Sequence, residues 1–254
     1  MKSWTATGEA YAASYASLCL GTAPELIAAL GPGAGRTLLD VGSGTSSLLA
    51  AFARDGWTVT GCEPEPSMRV VAEREHPEIV SLPGGLPELP FATDSFDVVT
   101  ANFVLNHVAD PRASATELAR VSADRVAATI WAQSPSWFWR EVCDRAGLVP
   151  AEGERLPAER DFARTSEGFA GMLTEAGWRG VAVAEKTWTW RARPEVLWIS
   201  AEGGVASAGL FYRSLDDAGR AAFRRGFDAV CGERAVDGEV PLEHTAAIAV
   251  GEAR

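Results

Sequence analysis

Residues 38–46 read LLDVGSGTS. With Thr37 they form an apolar run around one carboxylate, Asp40, followed by glycines at 42 and 44. A short apolar run that shows no alternation is the pattern of a strand buried on both faces, as in a parallel sheet. Glycines directly after such a strand permit a tight turn into a helix. Ser46 or Ser47 is positioned to cap that helix, which continues through Leu48, Leu49, Phe52 and Ala53, and Gly56 stops it.

The same rhythm continues outward. Trp57 to Cys62 reads as a second strand, and Pro66 opens a helix that ends before Pro77. Strands follow at 78–82, 96–101 and 125–132, with a helix at 113–121. The second half reads as helices at 134–146, 165–176, 195–214 and 216–231, with strands at 180–192 and 244–250. A polar connection covers 150–164. Upstream, Glu9 to Leu30 is alanine-rich and helical in pattern. Strands alternating with helices imply right-handed crossovers and a parallel sheet with helices on both faces. Ligands of such sheets bind beyond the carboxyl ends of the strands, beside the first strand.

Composition narrows the function classes. The chain has 254 residues, 47% hydrophobic and 22% charged, with a net charge of −11. That balance supports a buried core and argues against disorder. The negative charge disfavours nucleic acid and anionic membrane surfaces. No apolar run reaches the roughly 18 residues of a membrane span. The beginning of the chain lacks a basic-then-apolar leader. Cys19, Cys62, Cys143 and Cys231 are widely spaced, which reads as reduced thiols in a cytoplasmic protein. No histidine–carboxylate spacing suggests a metal site. The sequence leaves the oligomeric state open.

A glycine turn after a strand can serve a dinucleotide, an adenosine cofactor, or tight packing alone. A dinucleotide fingerprint needs glycine at position 47, where Ser47 stands. Asp40 would repel a pyrophosphate and suits a ligand that carries an ammonium group. Glu63 follows the second strand, where an acid can accept both ribose hydroxyls. A phosphate-free adenosine cofactor bearing an amino acid meets both conditions.

The three blocks LLDVGSGTS (38–46), WTVTGCEPEPSM (57–68) and LPELPFATDSFDVVTANFVLNHV (86–108) together resemble the class I S-adenosylmethionine-dependent methyltransferases. They are most similar to the small-molecule branch near the ubiquinone and menaquinone biosynthesis enzymes. The resemblance covers about residues 10–132. It implies a Rossmann-like, doubly wound, mostly parallel seven-stranded sheet of order 3-2-1-4-5-7-6, with the last strand antiparallel and an N-terminal helical lid. It implies one domain over 1–254: a cap at 1–35, a cofactor-binding core at 36–132, and acceptor-pocket helices with two further strands at 133–254. It implies S-adenosyl-L-methionine as cofactor and a small-molecule acceptor, in biosynthesis or natural-product tailoring. Asp40, Gly42, Ser43 and Gly44 match the cofactor loop, Glu63 and Pro64 the ribose-binding turn, and Met68 a residue flanking adenine. Gly85 and Leu86 match the loop at the adenine edge. Ala101, Asn102 and Phe103 match the stretch bordering the methionine part. The chain departs from the family twice. Ser46 replaces the third glycine, and Gly85 stands where an acid usually meets the adenine amino group.

Methyl transfer needs alignment and exclusion of water, and a base only where the acceptor must lose a proton. His107, just past the fourth strand, is the candidate base; the alternative is a histidine that bonds the loop backbone. His76 and His244 read as structural. Tyr11 and Tyr15, one helical turn apart, either close over the cofactor or simply pack. Trp137 and Trp139 are candidate acceptor-pocket residues, with Trp188, Trp190 and Trp198 as further possibilities. No Asn-Pro-Pro-Tyr loop follows the fourth strand, which disfavours methylation of nucleobase or glutamine amino groups. Three other functions stay open: a non-methylating reaction steered by the bound sulfonium, a silent cofactor-binding subunit, and a nicotinamide reductase disfavoured by Asp40 and Ser47.

Overall fold

The computed structural model describes residues 4–150 and 156–253; the stretch of the expected polar connection at 151–155 lies outside them. The helical N-terminal segment is four short pieces: α1 (Gly8–Ala12), α2 (Tyr15–Cys19), a 3-10 turn (Leu20–Thr22) and α3 (Ala23–Leu30). The break between α1 and α2 falls at Ser14, whose backbone leaves the helical region at φ −133° and ψ −89°. Its hydroxyl bonds back to the Ala10 carbonyl at 2.5 Å, a local bond that competes with helix continuation.

The sheet then begins: β1 (Thr37–Val41), α4 (Ser47–Arg54), β2 (Thr58–Cys62), α5 (Pro66–Glu75), β3 (Val80–Leu82), β4 (Phe96–Asn102), α6 (Pro111–Val121) and β5 (Ser122–Gln133). After α7 (Ser136–Ala146) and α8 (Ser166–Glu175) come β6 (Arg179–Ala192), α9 (Pro194–Glu202), α10 (Ala206–Ser214), α11 (Asp217–Arg234) and β7 (Val240–Glu252). The order is β3-β2-β1-β4-β5-β7-β6. β1 to β5 run parallel, and β7 is antiparallel to both β5 and β6. This is the sheet expected from the sequence.

Local chemistry explains where the boundaries differ from expectation. α6 starts at Pro111, two residues early, because Asp110 accepts from the Ala113 amide at 3.0 Å and proline fits the first helical position. The helix expected over 195–214 is two helices, because Gly204 turns the chain at φ +76°. β7 begins at Val240 and ends at Glu252, longer than its apolar centre, because it pairs along both edges. Thr165 caps α8 by accepting from the Gly168 amide at 3.1 Å.

Ser46 is a correction. It occupies the cap position of α4, but at φ +64° and ψ +13° its side chain makes no capping bond. Gly42 (φ +69°) and Gly44 (φ +54°) precede it in the same left-handed region. The loop thus calls for a residue free of Cβ crowding at position 46 too, and serine carries that strain.

Both faces of the sheet are buried. Leu39, Val99, Val126 and Ala249 pack under α6 and α8, with Trp178 and Phe169 at the centre. Leu38, Val98, Ala127 and Ile248 pack under α3 and α4, around Phe52 and Trp57. A third cluster lies past the end of the sheet: Phe138 and Val142 of α7, Leu197 of α9, and Phe223, Phe227 and Val230 of α11 close over Val240 and Leu242. This third core roofs the carboxyl ends of the parallel strands. It turns an open crevice into a cavity. All four cysteines are unpaired thiols. No described helix is long and apolar enough to cross a membrane.

Candidate functional site

A cavity of about 1100 Å³ lies between the strand ends, the N-terminal helices and the third core. Its two ends differ in chemistry.

The first end is built by the turns after β1 and β2. Glu63 is buried, and its carboxylate accepts from the Gly44 amide at 2.8 Å and the Glu65 amide at 2.9 Å. It therefore clamps the two turns together at the cavity wall. Burial pushes its carboxyl up, against the backbone bonds that favour the charged form. Asp40 lies deeper and accepts from the Thr100 hydroxyl at 2.7 Å. Burial raises its pKa to about 7 despite that bond, and the Glu63 charge adds to the rise. No described cation is salt-bridged to either acid. Arg69 comes nearest, donating to the Glu63 backbone carbonyl at 2.6 Å.

Tyr11 covers this end. Its ring lies over Gly44, where a Cβ would make an ordinary contact with it at 3.5 Å; the left-handed backbone at φ +54° is what calls for glycine there. Burial, reinforced by Cys19, Glu63 and Asp40, holds the Tyr11 phenol well above its ordinary pKa and therefore neutral. Pro64, Met68, Gly85 and Leu86 line the wall beyond. A Cβ on Gly85 would stand 3.2 Å from Pro64, so a larger residue there would crowd the turn. That is a physical reason for glycine at a position where the family usually has an acid.

Asn102, at the end of β4, is a latch. Its Oδ1 accepts from Thr22 Oγ1 at 2.9 Å and Thr129 Oγ1 at 2.6 Å, and its Nδ2 donates to the Cys19 carbonyl at 3.1 Å. It ties the N-terminal helices to β4 and β5 at the cavity edge. Phe103 follows in the left-handed region (φ +57°) and stacks on Trp131, centroids 3.7 Å apart and planes at 10°.

The second end is aromatic. Trp131 of β5, Trp190 of β6, Leu242 and His244 of β7, Trp139 of α7, Phe211 of α10 and Phe223 of α11 line it. Tyr15 joins the ends: its hydroxyl accepts from Trp139 Nε1 at 3.2 Å, and its ring meets Trp190 edge-on at 5.7 Å. Among the described residues, Arg140 is the lone Lys or Arg side chain on the cavity lining. A ligand with phosphates would face three acids at the turns, Asp40, Glu63 and Glu65, and find no clamp there.

Most of the expected site residues meet at this cavity: Tyr11, Tyr15, Gly42, Gly44, Glu63, Pro64, Met68, Gly85, Leu86, Asn102, Phe103, His107 and Trp139 line it, with Asp40 and Ser43 in an adjoining recess. Two do not. Ala101 is buried in the core under α6, because alternation along β4 turns it away from the turn that Asn102 faces. Trp137 is 39% exposed on the outer side of α7, under Arg234 at 5.4 Å, since one position on a helix swings a side chain by about 100° from Trp139. Trp188 packs behind His244 against Gly21, and Trp198 packs on Phe227. His107 lies beside Trp4, centroids 5.5 Å apart, with its Nδ1 buried. Sequence reasoning missed Trp131 and Phe223 and read His244 as structural. The only signal was the Trp188–Trp190 alternation, and the pairing of Trp188 with His244 and Trp190 with Leu242 needs the register.

Comparison with known proteins agrees with this geometry. Residues 39–125 match the family model described as a methyltransferase domain. A demethylmenaquinone methyltransferase of Beutenbergia cavernae is 30% identical over 174 residues, covering 63% of this chain and 72% of that protein. The YcgJ protein of Bacillus subtilis superposes with a TM-score of 0.56 at 19% identity, over 92% of this chain and 98% of that one. A Haemonchus contortus phosphoethanolamine N-methyltransferase, solved with phosphomonomethylethanolamine and S-adenosylhomocysteine, gives a TM-score of 0.51 at 17% identity, over 91% of this chain and 52% of that one. With the seven-stranded sheet, the acid-bearing glycine turn and these likenesses in place, the chain belongs to the class I S-adenosylmethionine-dependent methyltransferases that act on small molecules.

Proposed function

We propose that S-adenosylmethionine lies along the turns after β1 and β2 and that a largely apolar acceptor enters the aromatic end of the cavity, in a biosynthetic role. The observation that carries this reading is Asp40: a buried carboxylate with a raised pKa, a hydroxyl partner in Thr100 and, among the described residues, no cation salt-bridged to it. A buried acid of that kind is costly until a positive group reaches it. The ammonium of an amino-acid-bearing nucleoside supplies one. Glu63 keeps lone pairs for ribose hydroxyls after its two backbone bonds, Met68 and Leu86 provide apolar contact for adenine, and Tyr11 shields the turn from water. The bound cofactor supplies a methyl group on positively charged sulfur. The chain's own residues hold the acceptor against it: Phe103 and Trp131 form a continuous ring wall from the cofactor end to the acceptor end. The demethylmenaquinone named for the Beutenbergia relative, reduced to its hydroxyl-bearing quinol, is the kind of acceptor to try first.

Calorimetry with S-adenosylhomocysteine tests the cofactor site. Binding at the micromolar scale, about −8 kcal/mol, is expected. Glu63→Ala removes a charged acceptor whose hydrogen bonds contribute roughly 1.5–3 kcal/mol, so affinity should fall tenfold or more. Tight NADH binding with none for the nucleoside would overturn the reading.

A further inference from the structure

His244 is the one histidine placed among the rings of the acceptor end. It sits in β7, the interior strand that pairs with β5 and β6. Trp131 lies 5.1 Å away, Trp188 stacks on it at 6.0 Å, and Trp190 meets it edge-on at 6.4 Å. His244 is 95% buried yet lines the cavity. Its Nδ1 stands 3.0 Å from the Leu242 carbonyl oxygen. A carbonyl oxygen only accepts, so Nδ1 carries the hydrogen and Nε2 keeps the lone pair. The backbone of its own strand thus fixes the tautomer, as second partners of functional histidines commonly do.

The groups around it keep that lone pair free of charge. Tyr11, Tyr15 and Cys19, titratable side chains of the N-terminal helices on the same cavity, are all pushed upward by burial and stay neutral, and Arg140 of α7 is the cation on the lining. Lys186, on the same face of β6 as Trp188, is paired with Glu25 of α3. Glu243 alternates to the other face of β7. Burial lowers the His244 pKa, so the ring is neutral at neutral pH. A neutral imidazole with a fixed acceptor nitrogen, set in an otherwise apolar aromatic wall, recognises a hydrogen-bond donor on an apolar body.

We infer that His244 Nε2 accepts the hydrogen bond, and in reaction the proton, of a hydroxyl carried by a planar aromatic methyl acceptor. This rests on the methyl-transfer reading above and names the acceptor's chemistry. In balance, an oxygen electron pair of the acceptor forms the new bond to the methyl carbon, the carbon–sulfur pair stays on sulfur, and the hydroxyl proton passes to Nε2. The imidazolium so formed releases its proton to water through the cavity mouth. His107, with its Nδ1 buried beside Trp4, is outside this ring wall.

The test is equilibrium binding of 4-phenylphenol and 4-methoxybiphenyl to the full chain without cofactor, read by tryptophan fluorescence. The expected result is at least tenfold tighter binding of the phenol at pH 8, a preference that shrinks on acidification through the His244 pKa. In His244→Phe, which keeps the ring stack, the preference should fall below twofold. In the unmodified protein, the ring-carbon NMR signal that moves with 4-phenylphenol should be the one missing from His244→Gln. Equal binding of the two probes, a preference that survives in His244→Phe, or movement of the His107 signal instead would overturn the inference. S-adenosylhomocysteine binding is measured in parallel. Its presence with no phenol preference sinks this inference alone, and its absence sinks the cofactor reading.

Discussion

At the ends of β1 and β2 the cavity wall is made of left-handed turns and two buried carboxylates. Across from it, β5, β6 and β7 present indoles, a leucine and one imidazole, and α10 and α11 add phenylalanines. The polar end is held by hydrogen bonds to its two acids: Gly44 and Glu65 amides to Glu63, and the Thr100 hydroxyl to Asp40. The aromatic end is shaped by side chains from distant stretches of chain, brought together by strand register and by helices closing a separate core. One end is therefore costly to fold and specific for charge. The other gains from burial and sets size and shape.

The largest expected effect breaks that contrast at its polar end. Asp40 has a folded pKa of about 7 against an ordinary 3.8. A carboxyl whose folded value is raised leaves the fold uncompromised below the ordinary value and costs it stability as pH climbs through the folded value. At about 1.36 kcal/mol per unit, the cost above pH 7 is on the order of 4 kcal/mol. Asp40→Asn keeps an oxygen for Thr100 and removes the charge. It should raise the unfolding free energy of the ligand-free protein at pH 8 by roughly 2–4 kcal/mol, with little change near pH 4. The same variant should bind S-adenosylhomocysteine on the order of a hundredfold more weakly, because the ammonium loses its counter-charge. Denaturant melts at the two pH values and calorimetry read both. A variant that is less stable at pH 8 would mean that Asp40 is already compensated within the protein.

The next effect falls where the cap joins the sheet. Asn102→Ala removes the partner shared by the Thr22 and Thr129 hydroxyls and the Cys19 carbonyl, although Thr22 still donates to the Cys19 carbonyl at 3.1 Å and Thr129 still accepts from the Phe103 amide at 2.9 Å. Three hydrogen bonds are lost, each worth roughly 0.5–1.5 kcal/mol net. A net loss of about 2–3 kcal/mol, some 4–10 °C in melting temperature for a chain of this size, is expected. Chymotrypsin should also cut at Tyr11 and Tyr15 faster than in the unmodified protein. Unchanged cleavage would show that α1 to α3 are held by packing alone.

These two residues also mark what was legible in the sequence. The strand–turn–helix of residues 37–54 and the acids at 40 and 63 are local signals, and the sheet order follows from alternation and the family likeness. Asn102 was legible as a residue of the site, but its latch was not, because Thr22, Cys19 and Thr129 lie 80, 83 and 27 positions away. His244 was illegible for the same reason. In sequence it sits among β-strand residues, and only register places it opposite Trp188. The strained Ser46 reads as a cap from composition, and only its backbone conformation shows that it is not one.

The smallest effect separates two tryptophans that the sequence placed together. Trp139 faces inward, stacked near Phe223 at 6.0 Å and Phe227 at 5.9 Å, and its Nε1 reaches Tyr15. Trp137 faces outward, where the Arg234 guanidinium lies 5.4 Å from its ring and the edge of Phe138 is its aromatic neighbour. An exposed cation–π contact contributes roughly 0.5–1 kcal/mol, and Arg234 keeps its bonds to Glu141 when the ring is gone. Trp137→Ala should therefore lower stability by no more than about 1 kcal/mol and leave 4-phenylphenol binding within twofold of the unmodified protein. Trp139→Phe retains a ring but loses the donor to Tyr15, worth about 1 kcal/mol net. It should weaken that binding severalfold, because the Tyr15 hydroxyl keeps Ser200 but loses its tie to α7. If Trp137→Ala instead weakened the phenol while Trp139→Phe did not, the acceptor would have to enter from the outer side of α7, and the aromatic end described here would not be its site.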